Sequence, residues 1–340
     1  MNIRILAQDL KLSKSTVSLA LRNDPRLPEH TRDRVRKRAA RLGYRTDPTI
    51  AKVMGAIARK NSVDVTTPIV LLSDWPTPHH WKSTRDSLDR FYRGVIARSK
   101  ELGYRVEELW MREPGLTPKR IEQILAARGT QGVIVFSYPS APASLEVDLT
   151  PFASVVIGRA LVRPRILAVD QDHHQGMFEC LDQVASRGYR RPGLLLSIDA
   201  HERTLHCWAA AYLFAMSQSP IRRKIPLFLD AGRDFKRFRK WVKAYDPDVI
   251  ITQDSSMLSY VTDAGFRVPD DLGLAVLFQG KPTDGTAGID TRDEAQSARA
   301  VECLVEQLRK DIRGLPKFPE TVLFDGIWRD GPTLPPKRMT

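Results

Sequence analysis

The sequence predicts a small all-α module followed by a larger α/β domain of two lobes built on parallel sheets. Three observations carry this prediction. The first 45 residues place apolar side chains at helical spacing, divided by short turns. From Pro68 onward, short apolar runs alternate with helical stretches, the pattern of parallel strands covered by helices on both faces. The second region exceeds the usual size of one doubly wound domain, so two lobes are expected.

The elements follow in order. Ile3, Leu6, Ala7 and Leu10 share one helical face, with Asn2 as N-cap. Lys11-Leu12 makes a turn, and Ser13 caps a second helix from Lys14 to about Arg22 with Val17, Ala20 and Leu21 inward. Asn23-Asp24-Pro25 breaks it. A third helix runs from near Thr31 to Leu42, with Val35, Ala39 and Leu42 inward, and Gly43 ends it. Asp47-Pro48 opens a short fourth helix with an apolar stripe of Ile50, Val53, Met54 and Ile57. Residues 59–67 read as a linker.

In the larger region, strands are expected at 69–72, 105–110, 132–136, 153–157, 167–169, 193–196, 225–229, 249–252 and 272–277. Helices are expected at 88–102, 118–128, 176–187, 208–216, 235–244, 256–264 and 292–312. The chain shows no internal repeat and no low-complexity segment.

Charge separates the two regions. Of 340 residues, 42% are apolar and 27% charged, with a net charge of +13. Residues 1–62 hold 15 Lys/Arg against 5 Asp/Glu, and the rest holds 38 against 35. A basic module on a nearly neutral body is the electrostatic footprint of a protein with a polyanion partner. The module lacks the large aromatic anchors of membrane-surface helices. No apolar run approaches bilayer-spanning length and no secretory leader is read. The cysteines, Cys180, Cys207 and Cys303, are odd in number and form no CxxC pair, so a reduced, cytoplasmic protein is expected.

A second helix placed in the DNA major groove presents its N-terminal residues to base edges. Here these are Lys14, Ser15, Thr16, Ser18 and Leu19. Lys14 can donate to guanine or phosphate, and Leu19 offers apolar contact to a thymine methyl. The stretch Ile3-Arg4-Ile5-Leu6-Ala7, then Leu12-Ser13-Lys14-Ser15-Thr16-Val17-Ser18, Thr31-Arg32-Asp33-Arg34-Val35 and Ala40-Arg41-Leu42-Gly43-Tyr44 resembles the headpiece of the lac/galactose repressor family. The resemblance implies a helix-turn-helix headpiece over 1–46 and a hinge helix with linker over 47–67. It adds Arg22 and Tyr44 to the DNA contacts and places Val53 and Met54 where the family wedges an apolar side chain into the minor groove. Lys11 stands where the family turn carries Gly, and Leu19 where Arg or His is common, which predicts a different operator.

Residues 68–340 resemble the family's two-lobed periplasmic-binding-protein-like domain. The carrying stretches are Val169-Asp170-Gln171-Asp172, Gly188-Tyr189-Arg190-Arg191-Pro192, Pro247-Asp248-Val249-Ile250 and Gly265-Phe266-Arg267-Val268-Pro269-Asp270. The resemblance implies an N-lobe of about 68–158 and 286–314 and a C-lobe of about 164–280 and 318–333. Three crossovers are implied near 158–170, 278–290 and 314–320, with an effector cleft between the lobes. It places Trp75, Gln171, Trp208, Gln253, Asp254 and Phe278 at that cleft. Trp208 and Phe278 stand where sugar-responsive members carry Arg and Asp, which points to an effector with an apolar or planar face.

Catalytic chemistry is not expected. There is no GxSxG elbow, phosphate loop or GxGxxG turn, and the histidines lack metal-ligand spacing. No cofactor or metal is implied. The reading is an effector-gated transcription regulator, a repressor acting as a homodimer on a pseudo-palindromic operator. The alternatives are a two-lobed binding protein without a DNA role, an enzyme grafted on the fold, and a regulator whose aromatic residues have closed its cleft.

Overall fold

The computed structural model describes residues 9–10, 12–13, 16–17, 20, 27–41, 68–80, 86–218, 224–280 and 285–337. The chain divides into two compact units, Met1–Val65 and Thr66–Thr340.

In the first unit, residues 16, 17 and 20 are helical, as are 9 and 10. The Ser13 hydroxyl accepts from the Thr16 amide at 3.0 Å, the capping bond that Ser at this position supplies. Helix α1 (Glu29–Arg41) buries Val35 and Ala39 against Val17 and Ala20, with Leu10, Leu12 and Leu27 packed at the margin. Arg38 forks onto the Asp9 carboxylate at 2.6 and 2.8 Å, and Arg34 donates to the Leu10 carbonyl at 3.2 Å. Three segments of the module thus share one small core. The hinge stripe Ile50/Val53/Met54/Ile57 lies outside the described residues.

The second unit contains two six-stranded sheets. The first is formed by β1 (Pro68–Ser73), β2 (Arg105–Trp110), β3 (Gly132–Val135), β5 (Ala153–Ile157), β7 (Leu167–Gln171) and β13 (Thr321–Phe324), in spatial order β2-β1-β3-β5-β7-β13. All its pairs are parallel. The central strands β1, β3 and β5 are buried apolar runs because both faces are covered, whereas the edge strands β2 and β13 keep exposed positions. Ile69, Leu71, Ile134 and Val155 face helices α2 (Asp86–Glu101) and α9 (Asp293–Lys310), whereas Val70, Leu72, Val133 and Val156 face α3 (Pro118–Ala127). A two-stranded sheet, β4 (Ala143–Ser144) with β6 (Leu161–Arg163), fills one edge.

The second sheet comprises β8 (Pro192–Ser197), β9 (Phe228–Asp230), β10 (Val249–Asp254), β11 (Gly273–Gln279), β12 (Ala287–Asp290) and β14 (Ile327–Arg329), in order β9-β8-β10-β11-β12-β14. Only β14 is antiparallel to its neighbour among these pairs. Leu194, Ile251 and Leu277 pack on α4 (His173–Ser186) and α6 (Cys207–Gln218). Leu195, Ile250 and Val276 pack on α7 (Phe235–Tyr245) and α8 (Ser256–Asp263). A short helix, α5 (Ile198–Arg203), follows β8 directly.

The lobes exchange chain later than the resemblance implied. The 158–170 segment is no crossover: β6 pairs locally, and β7 returns to the first sheet beside β5 and β13. The chain changes lobe between Gln171 and His173, between Asp290 and Asp293, and between Phe324 and Ile327. The N-lobe therefore keeps β7 and extends through β13, where the sequence reading ended it at 158 and 314. Two smaller differences have local causes. Helix α4 begins at His173 rather than Gly176, because the Asp172 carboxylate accepts from the Gln175 amide at 2.9 Å. The expected strand at 225–229 is reduced to Phe228–Asp230, which pairs with Leu195–Ser197.

Candidate functional site

Both sheets end their strands at the same place. Ser137, Gly158 and Arg159 stand just past the carboxyl ends of β3 and β5, and Asp170 lies within β7 near its carboxyl end. At the carboxyl ends of β8, β10 and β11 stand Ser197, Gln253, Asp254 and Phe278. These residues, with Phe91, His173, Arg203 and Trp208 among others, line one cavity of about 340 Å³. Ligands of open α/β sheets bind at this position, outside the strand carboxyl ends. The volume suits a small organic molecule.

Trp208 is buried, and its ring meets His173 edge-on at 5.0 Å between centroids. Phe278 is half-buried and packs against the cores of both lobes. Gln253 accepts from the Ser197 amide at 2.8 Å and donates to the Ser197 hydroxyl at 3.1 Å. It therefore holds the cap of α5, whose Ala200 amide donates to the same hydroxyl. Asp254 accepts from the Ser256 amide at 2.9 Å and from its hydroxyl.

A polar cluster spans the first crossover, with Arg159 and Asp170 in the N-lobe and His173 at the start of α4 in the C-lobe. Arg159 Nε donates to Asp170 Oδ2 at 2.9 Å, and His173 Nε2 lies 3.5 Å from the same oxygen. Burial pushes the Asp170 carboxyl up, but His173 and Arg159 outweigh it and hold the group below the ordinary carboxylate value. Burial likewise opposes the Arg159 charge, and Asp170 restores it beyond the usual guanidinium value. Arg203 lies 3.7 Å from Asp199 on the opposite wall. Three buried atoms of the lining, His173 Nδ1, Trp208 Nε1 and Gln296 Oε1, have no hydrogen-bond partner among the described residues.

Four of the side chains expected at the cleft, Trp208, Gln253, Asp254 and Phe278, line the cavity together. Two do not. Trp75 belongs to the N-lobe core and donates from Nε1 to the Ser137 carbonyl at 2.5 Å, so it backs the wall. Gln171 is buried at the first crossover, outside the lining, because β7 continues through it. Although position 208 is Trp, the cavity is not without guanidinium groups, since Arg159 and Arg203 both line it. A polar residue directly after a buried strand run, as in Ile157-Gly158-Arg159, was the available signal for Arg159.

Of the expected DNA contacts, Thr16 is described, with its hydroxyl 2.8 Å from that of Ser13. Lys14, Ser15, Ser18, Leu19, Arg22, Tyr44, Val53 and Met54 lie outside the described residues. No helix among the described residues is long and apolar enough to cross a membrane.

No protein-family model matches the chain. No curated protein matches it. Solved structures do. The transcriptional regulator CelR in complex with cellobiose aligns over 98% of this chain and 99% of its own, at 17% identity and a TM-score of 0.59. The lac repressor dimer bound to operator and the anti-inducer ONPF covers the same shares at 15% identity and 0.58. A LacI transcriptional regulator from a Rhodococcus species aligns over 79% of this chain and 98% of its own, at 14% and 0.60. The likeness is one of fold: two lobes of parallel-sheet α/β structure, like those of periplasmic binding proteins.

Proposed function

We propose that this protein is an effector-gated, sequence-specific DNA-binding transcription regulator, acting as a repressor and as a homodimer. The observation that carries this reading is the cavity at the strand ends of both sheets, lined by aromatic and charged side chains from both lobes. A ligand there contacts both lobes and so has different affinity for different lobe arrangements, which is the requirement for gating. The basic first unit supplies the DNA contact. Its Ser13-capped helix is the reading helix of a helix-turn-helix headpiece, with Lys14, Ser15, Thr16, Ser18 and Leu19 toward base edges and Arg22 and Tyr44 toward the backbone. The hinge residues Val53 and Met54 enter the minor groove.

In the cavity, Trp208 and Phe278 take the flat face of the effector, while Arg159, Arg203 and Asp254 orient its polar edge. The similar folds of CelR with cellobiose and of the lac repressor with ONPF and operator support this division of roles. The open volume beside Trp208 favours a working cleft over one closed by its aromatic residues.

Selection from a random DNA pool tests the reading. The expected product is a sequence with twofold-related half-sites, bound by the full chain and released or tightened by one member of a metabolite library. A pool without any twofold-related sequence overturns it.

A further inference from the structure

The second crossover carries a buried acid whose charge its surroundings do not match. Asp293 opens α9 and is wholly removed from water. Its Oδ1 accepts from the Thr291 hydroxyl. Its Oδ2 has no hydrogen-bond donor among the described residues. Arg90 of α2 places Nη1 3.8 Å from that oxygen, but Nη1 donates to other acceptors. Nη2 donates to Asp290 Oδ1 at 2.9 Å, and Nη1 donates to the carbonyls of Gly280 at 3.1 Å and Gln279 at 3.4 Å. Arg90 is thereby a clamp between lobes: α2 belongs to the N-lobe, and its acceptors lie at the ends of β11 and β12 in the C-lobe.

The charges around Asp293 come from three elements. Arg90 faces it from α2 and Asp290 from the end of β12. Glu294 follows it on α9 and is held by Arg93 at 3.0 Å. Asp290 also has Arg329 of β14 at 3.5 Å and the Arg292 amide at 3.0 Å. One half-buried guanidinium thus serves two acids, and it hydrogen-bonds only Asp290. An ionised carboxylate with one oxygen undonated is costly in such a place, and a neutral one costs less.

We propose that Asp293 is a proton-operated catch on the joint between the lobes. With its carboxyl neutral the Arg90 clamp stays closed; with its carboxyl ionised the joint shifts toward an arrangement in which water reaches the charge. The sign follows from linkage. Burial pushes the carboxyl up to about 7, against the pull of Thr291 and Arg90 and with the help of Asp290 and Glu294. The arrangement that holds the proton more tightly is favoured at low pH and loses ground as pH rises through neutrality. Leu88 and Phe91 on α2, and Phe278 and Gly280 beside β11, line the cavity, so the catch acts on its walls.

The test uses the full chain with neither ligand nor DNA, so its failure leaves the proposed function standing. Spin labels go on exposed positions of the two lobes, Lys119→Cys on α3 and Lys240→Cys on α7, in a Cys207→Ser background, since the other two cysteines are buried. Inter-label distances are measured between about pH 6 and about pH 8. The expected result is a narrow distribution at the acid end that shifts and broadens with a midpoint near neutrality. Asp293→Asn keeps the acid-end distribution throughout, and Arg90→Met keeps the alkaline one. Identical distributions at both ends overturn the proposal, as does a pH shift that survives in Asp293→Asn. Should Asp293→Asn fail to fold, the unsubstituted profile and Arg90→Met decide by the same criteria.

Discussion

Asp170 accepts from Arg159 and lies beside His173 while almost wholly removed from water, so one carboxylate organises a whole wall of the cavity. Removing its charge leaves a half-buried guanidinium without a counter-ion, which in buried pairs costs about 3 kcal/mol. Asp170→Asn should therefore lower the urea midpoint by a corresponding amount and leave the denaturant slope unchanged. The pH dependence has a definite sign. Because the folded-state carboxyl sits below its unfolded value, Asp170 contributes stability above the ordinary carboxylate range and loses it as pH falls through the lower, folded value. Acid titration of unfolding free energy should show this loss in the native chain and not in Asp170→Asn. This cluster was only half legible in the sequence. Asp170 and His173 stand in a recognisable stretch, but Arg159 reaches them across the turn after β5, and no local pattern encodes that approach. Trp208 and Phe278 came from the resemblance to the lac/galactose repressor family rather than from a local pattern, and both line the cavity.

Helices α2 and α9 meet almost backbone to backbone, and Gly94 makes this possible. A Cβ there would collide with the Glu294 main chain and the Ser297 hydroxyl. In an open helix, Gly→Ala is stabilising by about 1 kcal/mol. At this contact the sign should reverse, and Gly94→Ala should destabilise by about 2 kcal/mol through overpacking. A lowered thermal midpoint checks this; a raised one would show that the helices separate freely. Period and breaker residues announced most long elements, since α3, α7 and β2 each follow their own apolar spacing. They did not announce β12, β13 and β14. These strands are short, and they exist because a neighbouring strand offers its edge: β13 pairs with β7 and β14 with β12. Pairing partners remote in sequence are the information that a local reading lacks, and the misplaced crossovers follow from the same lack.

At the scale of the molecule, charge and connectivity separate. The basic first unit should make several phosphate contacts per headpiece, so binding to a selected operator should fall steeply with salt. In the proposed homodimer, two headpieces predict a slope of about −6 or steeper in log affinity against log salt concentration. A slope near zero in a filter-binding titration would remove the electrostatic role from this unit. The two lobes of the second unit are joined by three crossings, and each lobe is completed by chain that arrives after the other has begun. Ala300, Val301 and Leu304 of α9 close the core over β1, β3 and β5, although the C-lobe segment from His173 to Asp290 stands between them. During synthesis the N-lobe must therefore wait, with its sheet face uncovered, until the ribosome has translated most of the C-lobe. Its window of exposure to chaperones and proteases is set by the order of the message rather than by the stability of the finished lobe.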